Sequence, residues 1–257
     1  MAGVPERVDV IGSWITACDA SAALDLLENR IEQGEGGYVC FTNVHAAVMG
    51  RRDERFRRIT NTSYLSLADG TPVFWVGRIK GHRYMGHVPG PDFFLRTFKR
   101  FPLRRHFLYG STPQVLKRLE DNLRRALPEV NVCGAISPAF GPLSEDDRRR
   151  HYAAIRESGA EFVWVGLGAP KQEQWMAEAW QHLKPSVLLG VGAAFDFHAG
   201  TLRRAPLSLR RLGLEWLHRF SQEPRRLWRR YLVANTLFLA YLVKDLFRRK
   251  SDAIDNS

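Results

Sequence analysis

Six short runs rich in β-branched and aromatic residues, separated by longer amphipathic stretches, constrain this chain more than any other feature. The runs are Tyr38 to Thr42, Tyr64 to Ala68, His106 to Tyr109, Asn131 to Ala135, Glu161 to Gly166 and Ser186 to Val191. Between them, Ala46 to Thr60, Gln114 to Ala126, Asp146 to Glu157 and Gln172 to His182 carry apolar residues at helical spacing. Strands alternating with helices in this way predict an α/β fold, a parallel sheet covered by helices on both faces. Val8 to Ile11 and Ser21 to Gln33 add a further strand and helix at the front. A chain of 257 residues that is 45% hydrophobic can bury the core such a sheet needs.

A covered parallel sheet binds ligands outside the carboxyl ends of its strands, which directs attention to the strand ends. They hold Thr42 and Asn43, Asp69 and Gly70, Gly110 with Ser111 and Thr112, Gly168 to Gln172, and Gly192 to Asp196. Small residues let a ligand approach the backbone, and the helix starts that follow offer free N–H groups and a positive dipole to phosphate. In VGLGAPKQEQW, residues 165 to 175, a strand turns at a glycine corner, Pro170 stands near a helix start, and Lys171 and Gln172 are expected to face the crest. The stretch lacks the GxxxxGK[ST] pattern of a Walker A loop. Asp69, in LADG, suits either a turn or cap or a general base; Asn43 suits a helix cap or a sugar hydroxyl; Asp196 suits a cap, an arginine partner or a ligand. His45 is expected to pack or cap rather than to act on a substrate.

No DxD pair follows a strand, and no HxxxH or Cys/His cluster suggests a metal. The acidic triplet Glu145, Asp146 and Asp147 opens a helix, where acids favour the dipole without needing an ion. Cys18, Cys40 and Cys133 are odd in number and widely spaced, which predicts reduced, packed thiols. The first twenty residues carry no basic start followed by an apolar core, so a cytosolic location is expected.

Charge is concentrated at the far end. From Arg203 to Lys250 there are 13 Lys or Arg against 3 Asp or Glu, which leaves 25 against 24 for the rest. Such a segment needs an anionic partner: nucleic acid, a phosphorylated substrate or an acidic membrane. Trp216, Phe220, Trp228, Tyr231, Phe238 and Tyr241 interleave with its arginines, a composition shared by nucleic-acid binders and membrane interfaces. The uncharged run from Tyr231 to Val243 has 13 residues, short of the roughly 20 that span a bilayer as a helix. It should lie on a membrane or pack on the domain.

With these blocks in order, LADGTPV, VPGPDFF, LYGST, SPAFGPL, VGLGAPKQEQW, GVGAAFDFHAGTLRRAP and GLEWLHRFSQEPRRLWRRYL, the chain resembles the WecG/TagA/CpsF family of bacterial glycosyltransferases from about Tyr38 to Leu246. The resemblance implies a Rossmann-like catalytic core over residues 1–200, a basic, aromatic, membrane-associating helical appendage over 201–250, and a disordered tail over 251–257. It implies an inverting, metal-independent transfer, with no cofactor, from a UDP-sugar to a polyprenyl-diphosphate-linked saccharide in exopolysaccharide or envelope glycopolymer synthesis. The sugar would be a hexose or N-acetylhexosamine type, and the location peripheral, at the cytoplasmic face of the plasma membrane. Asp69 matches the family's catalytic base. Gln172 matches a donor-site residue, with Gly168 and Lys171 beside it, and Asn43 carries over; Gly110, Ser111 and Asp196 at the strand ends are assigned to the donor with them, and Arg219, Arg226 and Arg229 match residues that approach the diphosphate of donor or lipid acceptor. Where the family often has Thr-x-Asn, this chain has Phe41, Thr42, Asn43, and where many members carry arginine before the VPG block it has His87, which contacts phosphate weakly unless protonated.

Two other classes compete on the residues alone. Glycine corners also suit an NAD-dependent oxidoreductase, although no early GxGxxG with an acidic residue about 20 positions later is present. The basic tail suits a nucleic-acid-binding protein, whose affinity would fall steeply with salt. The preferred reading expects an anionic membrane and no nucleic acid as partner, and leaves the aromatic tail able to pack on a second copy as a homo-oligomer.

Overall fold

The computed structural model describes residues 5–254, apart from the side chains of Arg211, Arg226, Arg229, Arg230 and residues 248–254. An antiparallel hairpin, β1 (Arg7–Val10) and β2 (Ser13–Thr16), comes first, followed by α1 (Ala20–Glu32). Then come β3 (Gly37–Thr42), α2 (Val44–Arg52), α3 (Glu54–Asn61), β4 (Leu65–Ala68), α4 (Thr71–Ile79) and α5 (Gly90–Arg100). The second half holds β5 (His106–Gly110), α6 (Pro113–Ala126), β6 (Val132–Ile136), α7 (Glu145–Glu157), β7 (Phe162–Gly166), α8 (Lys171–Ala179) and β8 (Val187–Gly190). Four helices close the chain: α9 (Ala194–Ala199), α10 (Leu207–Arg211), α11 (Glu215–Gln222) and α12 (Pro224–Ile254).

The last six strands form one parallel sheet in the order β4-β3-β8-β7-β5-β6. Because side chains alternate along a strand, each strand feeds two cores. Phe162 and Trp164 face α1, α5, α6 and α9, while Val163 and Val165 face α7 and α8. This is the Rossmann-like α/β layering the sequence predicts. Trp164, Phe93, Phe94 and Phe98 are fully buried on the first face, and Tyr109 stacks on Trp175 at 4.1 Å on the second.

Two expectations change. The stretch Ala46 to Thr60 is two helices, broken at Asp53, whose extended backbone ends α2 and whose Oδ1 accepts from the Phe56 N–H (3.1 Å) to cap α3. The second strand of the hairpin, β2, has no counterpart among the predicted runs. The acidic triplet opens α7 as expected, with Ser144 as its cap, and Thr112 caps α6. All three cysteines are free thiols, with Cys18 and Cys40 buried.

The C-terminal segment folds back on the body. Leu227, Ala234 and Phe238 of α12 are buried, and the last two join Val8, Val10 and Ile15 of the hairpin region, Ala47 and Val48 of α2, and Val73 of α4 in a third core. The Arg51 to Asp245 ion pair (3.0 Å) fastens the outer half of α12 to α2. Helical backbone continues to Ile254, four residues into the stretch expected to be a disordered tail, and residues 255–257 lie outside the described residues. Among the described residues no helix is long and apolar enough to cross a membrane.

Candidate active site

A cavity of about 1020 Å³ opens outside the carboxyl ends of β4, β3, β8 and β7, and α10, α11 and α12 wall its other side. Asp69 stands at the end of β4, where the chain leaves the sheet and Gly70 starts α4. A side chain at Gly70 would press within 3.1 Å of the Asn43 Cα, so the glycine lets the β3 and β4 corners close together. The Asp69 carboxylate accepts from the Gly90 N–H at Oδ1 (2.8 Å) and from the Asn43 amide at Oδ2 (3.2 Å). Burial pushes this carboxyl above the usual carboxylate range. The Gly90 N–H, the Asn43 amide and His87 pull the other way without cancelling it, and Glu215 across the cavity adds a like charge.

Asn43 fills the cap role, and its amide also reaches Asp69. Its Oδ1 caps α2 by accepting from the Ala46 N–H (3.1 Å), which fixes the amide so that Nδ2 points at Asp69. His87, though exposed, donates from Nε2–H to the Asp69 backbone carbonyl (2.8 Å), so it shapes the Asp69 corner from the position where arginine is expected in many family members. Thr42 is buried in the sheet against the Ser66 hydroxyl (2.8 Å), whereas Phe41 reaches the cavity wall and packs on Phe93.

Gln172 is buried and staples two crests. Its Nε2 donates to the Gly190 carbonyl and to Glu173 Oε1 (both 2.9 Å), and its Oε1 accepts from the Gly168 N–H (3.2 Å). Gly168, at φ +76°, takes the left-handed turn that brings its N–H to this amide. Lys171 departs from the expectation: it is exposed at the start of α8 and outside the cavity lining. Gly110 and Ser111 also lie outside it. Gly110 abuts Gly166, where any Cβ would come within 2.6 Å of backbone, and the Ser111 N–H donates to the Gly166 carbonyl (3.2 Å), so this corner holds β5 against β7. Asp196 lines the cavity and accepts from the Thr201 hydroxyl (3.3 Å), the cap-like role, with no arginine ion pair among the described residues.

Arg219 enters from α11. Its guanidinium lies 5.5 Å from the Phe197 ring, and its Nε is shielded from solvent with no hydrogen-bond partner among the described residues. A buried donor left unpaired beside a cavity is costly unless a ligand meets it, which makes this wall suited to an anion. The side chains of Arg226 and Arg229 lie outside the described residues, although their backbone belongs to the first turns of α12.

Sequence reasoning missed the clamp that seats this wall. Arg204 donates to both Asp92 oxygens (2.6 and 2.8 Å) and, through Nε, to Glu215 (2.9 Å), and Arg210 donates to Asp92 (3.1 Å). Burial alone would raise the Asp92 carboxyl, but hydrogen bonds and charge from Arg204, with Arg210 behind it, bring it below its ordinary value. Arg210 also reaches the cavity, with its Nε shielded and unpaired among the described residues. The only sequence trace was RRAP followed by GLEW, with Asp92 more than a hundred residues upstream. Cations thus come to the cavity from the appendage, while Asp69 and Asp196 stand on the sheet side.

A Rossmann-like sheet with a raised-pKa carboxylate at its crest and an arginine-bearing wall opposite is the layout of a glycosyltransferase. The chain belongs to the Glycosyl transferase WecG/TagA/CpsF family, whose model matches residues 8–252. It is 29% identical over 213 residues to N-acetylglucosaminyldiphosphoundecaprenol N-acetyl-beta-D-mannosaminyltransferase of Bacillus subtilis (strain 168), covering 81% of this chain and 80% of that one. It is 27% identical over 229 residues to the protein of the same name from Bacillus spizizenii strain W23, covering 88% of this chain and 85% of that one. The protein is therefore a glycosyltransferase rather than an oxidoreductase.

Proposed function

We propose that the chain is an inverting transferase that moves an N-acetylhexosamine or hexose residue from a UDP-sugar to a polyprenyl-diphosphate-linked saccharide, in synthesis of an exopolysaccharide or similar envelope glycopolymer. The observation that carries this reading is the opposition of Asp69 and Arg219 across one cavity large enough for a nucleotide-sugar and an acceptor terminus. Asp69 takes the proton from the acceptor hydroxyl, and that oxygen forms a bond to the anomeric carbon as the bond from that carbon to the UDP oxygen breaks on the opposite face. A carboxyl with a raised pKa accepts that proton more readily than an ordinary one. Arg219 and Arg210 face the negative charge that grows on the departing diphosphate, with Arg226 and Arg229 assigned to the same task from α12. Gln172, Gly168 and Asn43 hold the crest on which the donor lies, and Asp196 faces a sugar hydroxyl.

The names of the two Bacillus relatives favour N-acetylmannosamine as the transferred sugar and a GlcNAc-diphosphate-lipid as acceptor. Residues 1–200 act as the catalytic core and 201–250 as the appendage that meets the cytoplasmic face of the plasma membrane. In support, α12 buries one stripe on the body and leaves Leu232, Leu239, Val243 and Leu246 exposed on another. These positions, spaced by 7, 4 and 3, fall on one helix face. The deciding experiment is UDP release from a panel of UDP-sugars with a synthetic polyprenyl-diphosphate monosaccharide, with and without EDTA. Acceptor-dependent, EDTA-insensitive release with one donor is expected, and silence across the panel from folded protein would overturn the proposal.

A further inference from the structure

We infer that α4 and the loop after it form a second bilayer-contact surface, separate from α12. Three large apolar side chains stand out there: Trp75, Ile79 and Tyr84 are 55%, 82% and 90% exposed. Trp75 and Ile79 are four apart and share one face of the helix. The opposite face is already occupied, since Val73 is fully buried and Gly77 lies so close to Met85 that a Cβ would strike its sulfur. The outward residues therefore contribute nothing to the core that α4 completes.

Charge indicates what covers them. Arg78 and Arg83 supply cations beside these side chains, while Lys80 Nζ donates to the Asp9 carbonyl (2.5 Å) and Glu6 lies 3.5 Å from His82. Arg78 donates to the Arg83 carbonyl and so ties the helix end to the loop, and neither arginine has an ion pair among the described residues. Tryptophan and tyrosine with an isoleucine between them and arginines around them match the headgroup layer of an anionic leaflet, where the rings sit at the interface and the cations meet lipid phosphates. A second copy docked on the same patch would set Arg78 and Arg83 against their own equivalents, a like-charge pairing, and the acid beside the patch, Glu6, is already paired with His82.

Position ties the patch to the site, and this step rests on the membrane-bound acceptor proposed above. Thr71 and Pro72 at the start of α4 line the cavity beside Asp69, and the helix reaches the patch after nine residues, about 13 Å. Ring contacts run outward along the same path, from His87 to Phe74 (6.0 Å) and from Phe74 to Trp75 (5.2 Å). A leaflet seated on Trp75 and Ile79 brings its diphosphate-bearing lipids to the level of the cavity mouth.

The test uses the full chain. An environment-sensitive fluorophore is attached at Ile79→Cys in a Cys133→Ser background, and vesicles of phosphatidylglycerol are compared with phosphatidylcholine alone. We expect a blue shift on the anionic vesicles only, and about a tenfold loss of vesicle affinity in the Trp75→Ser/Ile79→Ser/Tyr84→Ser variant with UDP affinity unchanged. A probe that stays in water while the chain sediments with vesicles, or a triple variant that binds like its parent, would overturn the inference. So would a blue shift that grows with protein concentration in the absence of lipid, which would assign the patch to a second copy. Vesicle binding is read without turnover, so failure of the donor panel leaves this result standing or falling by itself.

Discussion

At the scale of single residues, Asp69 and His106 show how the same physical cause, burial, serves two ends. Asp69 is desolvated at a cavity, and its raised pKa makes it a better proton acceptor. Asp69→Asn keeps the size of the side chain but removes the base, so turnover should fall by about 10³-fold or more while UDP affinity stays near wild type. Wild-type turnover in a UDP-release assay would remove Asp69 from the reaction. In the parent enzyme kcat should decline as pH falls through this raised pKa, because protonation there silences the base. His106 has no such outlet. It is fully buried between Phe98 and Phe162, its Nε2–H meets the Phe101 carbonyl (2.8 Å), and its Nδ1 accepts from the Trp164 indole (3.1 Å). That pair of bonds fits only the neutral ring, and burial lowers its pKa from 6.5 to about 4. Below pH 6.5 the unfolded chain takes up a proton that the folded one refuses. Stability should therefore fall between pH 6.5 and about 4, by at most ~3 kcal/mol from this residue, and level off below. Urea unfolding at pH 7 and pH 4.5 reads the slope, and His106→Phe should flatten it whatever it does to stability at pH 7.

At the scale of elements, the clamp between α5 and the segment leading into α11 decides where Arg219 stands. Arg204 is largely buried and bonds two carboxylates on different elements. Arg204→Met keeps the stem but strands Glu215 and leaves Asp92 with Arg210 alone. Because Asp92 retains some solvent contact, the loss should be about 2 kcal/mol, below the 3–5 typical of a fully buried pair. Urea unfolding should show that loss, and UDP affinity should weaken as Arg219 loses its support. Unchanged UDP affinity would mean that the clamp does not position the arginine wall. None of this was legible in the sequence, because Asp92 and Arg204 are 112 residues apart and each alone reads as an ordinary surface charge. The six sheet strands were legible, since each is a short apolar run bounded by residues that leave the sheet. The break between α2 and α3 was not, because the amphipathic spacing continues across Asp53 and only its cap geometry reveals the turn. Strand β2 was hidden for a different reason: four residues pairing only with β1 carry too little pattern to separate from a loop. Of the candidate site residues, Asp69, Asn43, Gly168, Gln172, Asp196 and Arg219 meet at one cavity. Gly110, Ser111 and Lys171, named by the rule that strand ends bind ligands, lie outside that cavity. That rule does not say which neighbouring strands share a cavity.

At the scale of the whole molecule, α12 in the basic segment presents two different faces, one packed on the body and one bare. The stripe of Ala234 and Phe238 seals the third core, so α12 is part of the folded body and its removal would uncover Val8, Val48 and Val73. The stripe of Leu232, Val243 and Leu246 seals nothing, and each of these residues is more than half exposed. Replacing all three by serine should therefore leave the urea midpoint nearly unchanged, since exposed positions contribute within about 0.5 kcal/mol each. If the stripe lies in a leaflet, each side chain contributes roughly 1 kcal/mol of burial there, and the triple variant should bind anionic vesicles at least ~10-fold more weakly. The kinetic consequence separates anchoring from chemistry. Turnover of a polyprenyl acceptor embedded in vesicles should fall with the binding, while turnover of a short-chain acceptor soluble in water should persist. Raising salt should weaken the vesicle binding of parent and variant alike, because the cations on α11 and α12 act through a screened field. Parent-like vesicle affinity in the triple variant would show that this face of α12 stays in water, and the burden of anchoring would pass to α4 and the arginines.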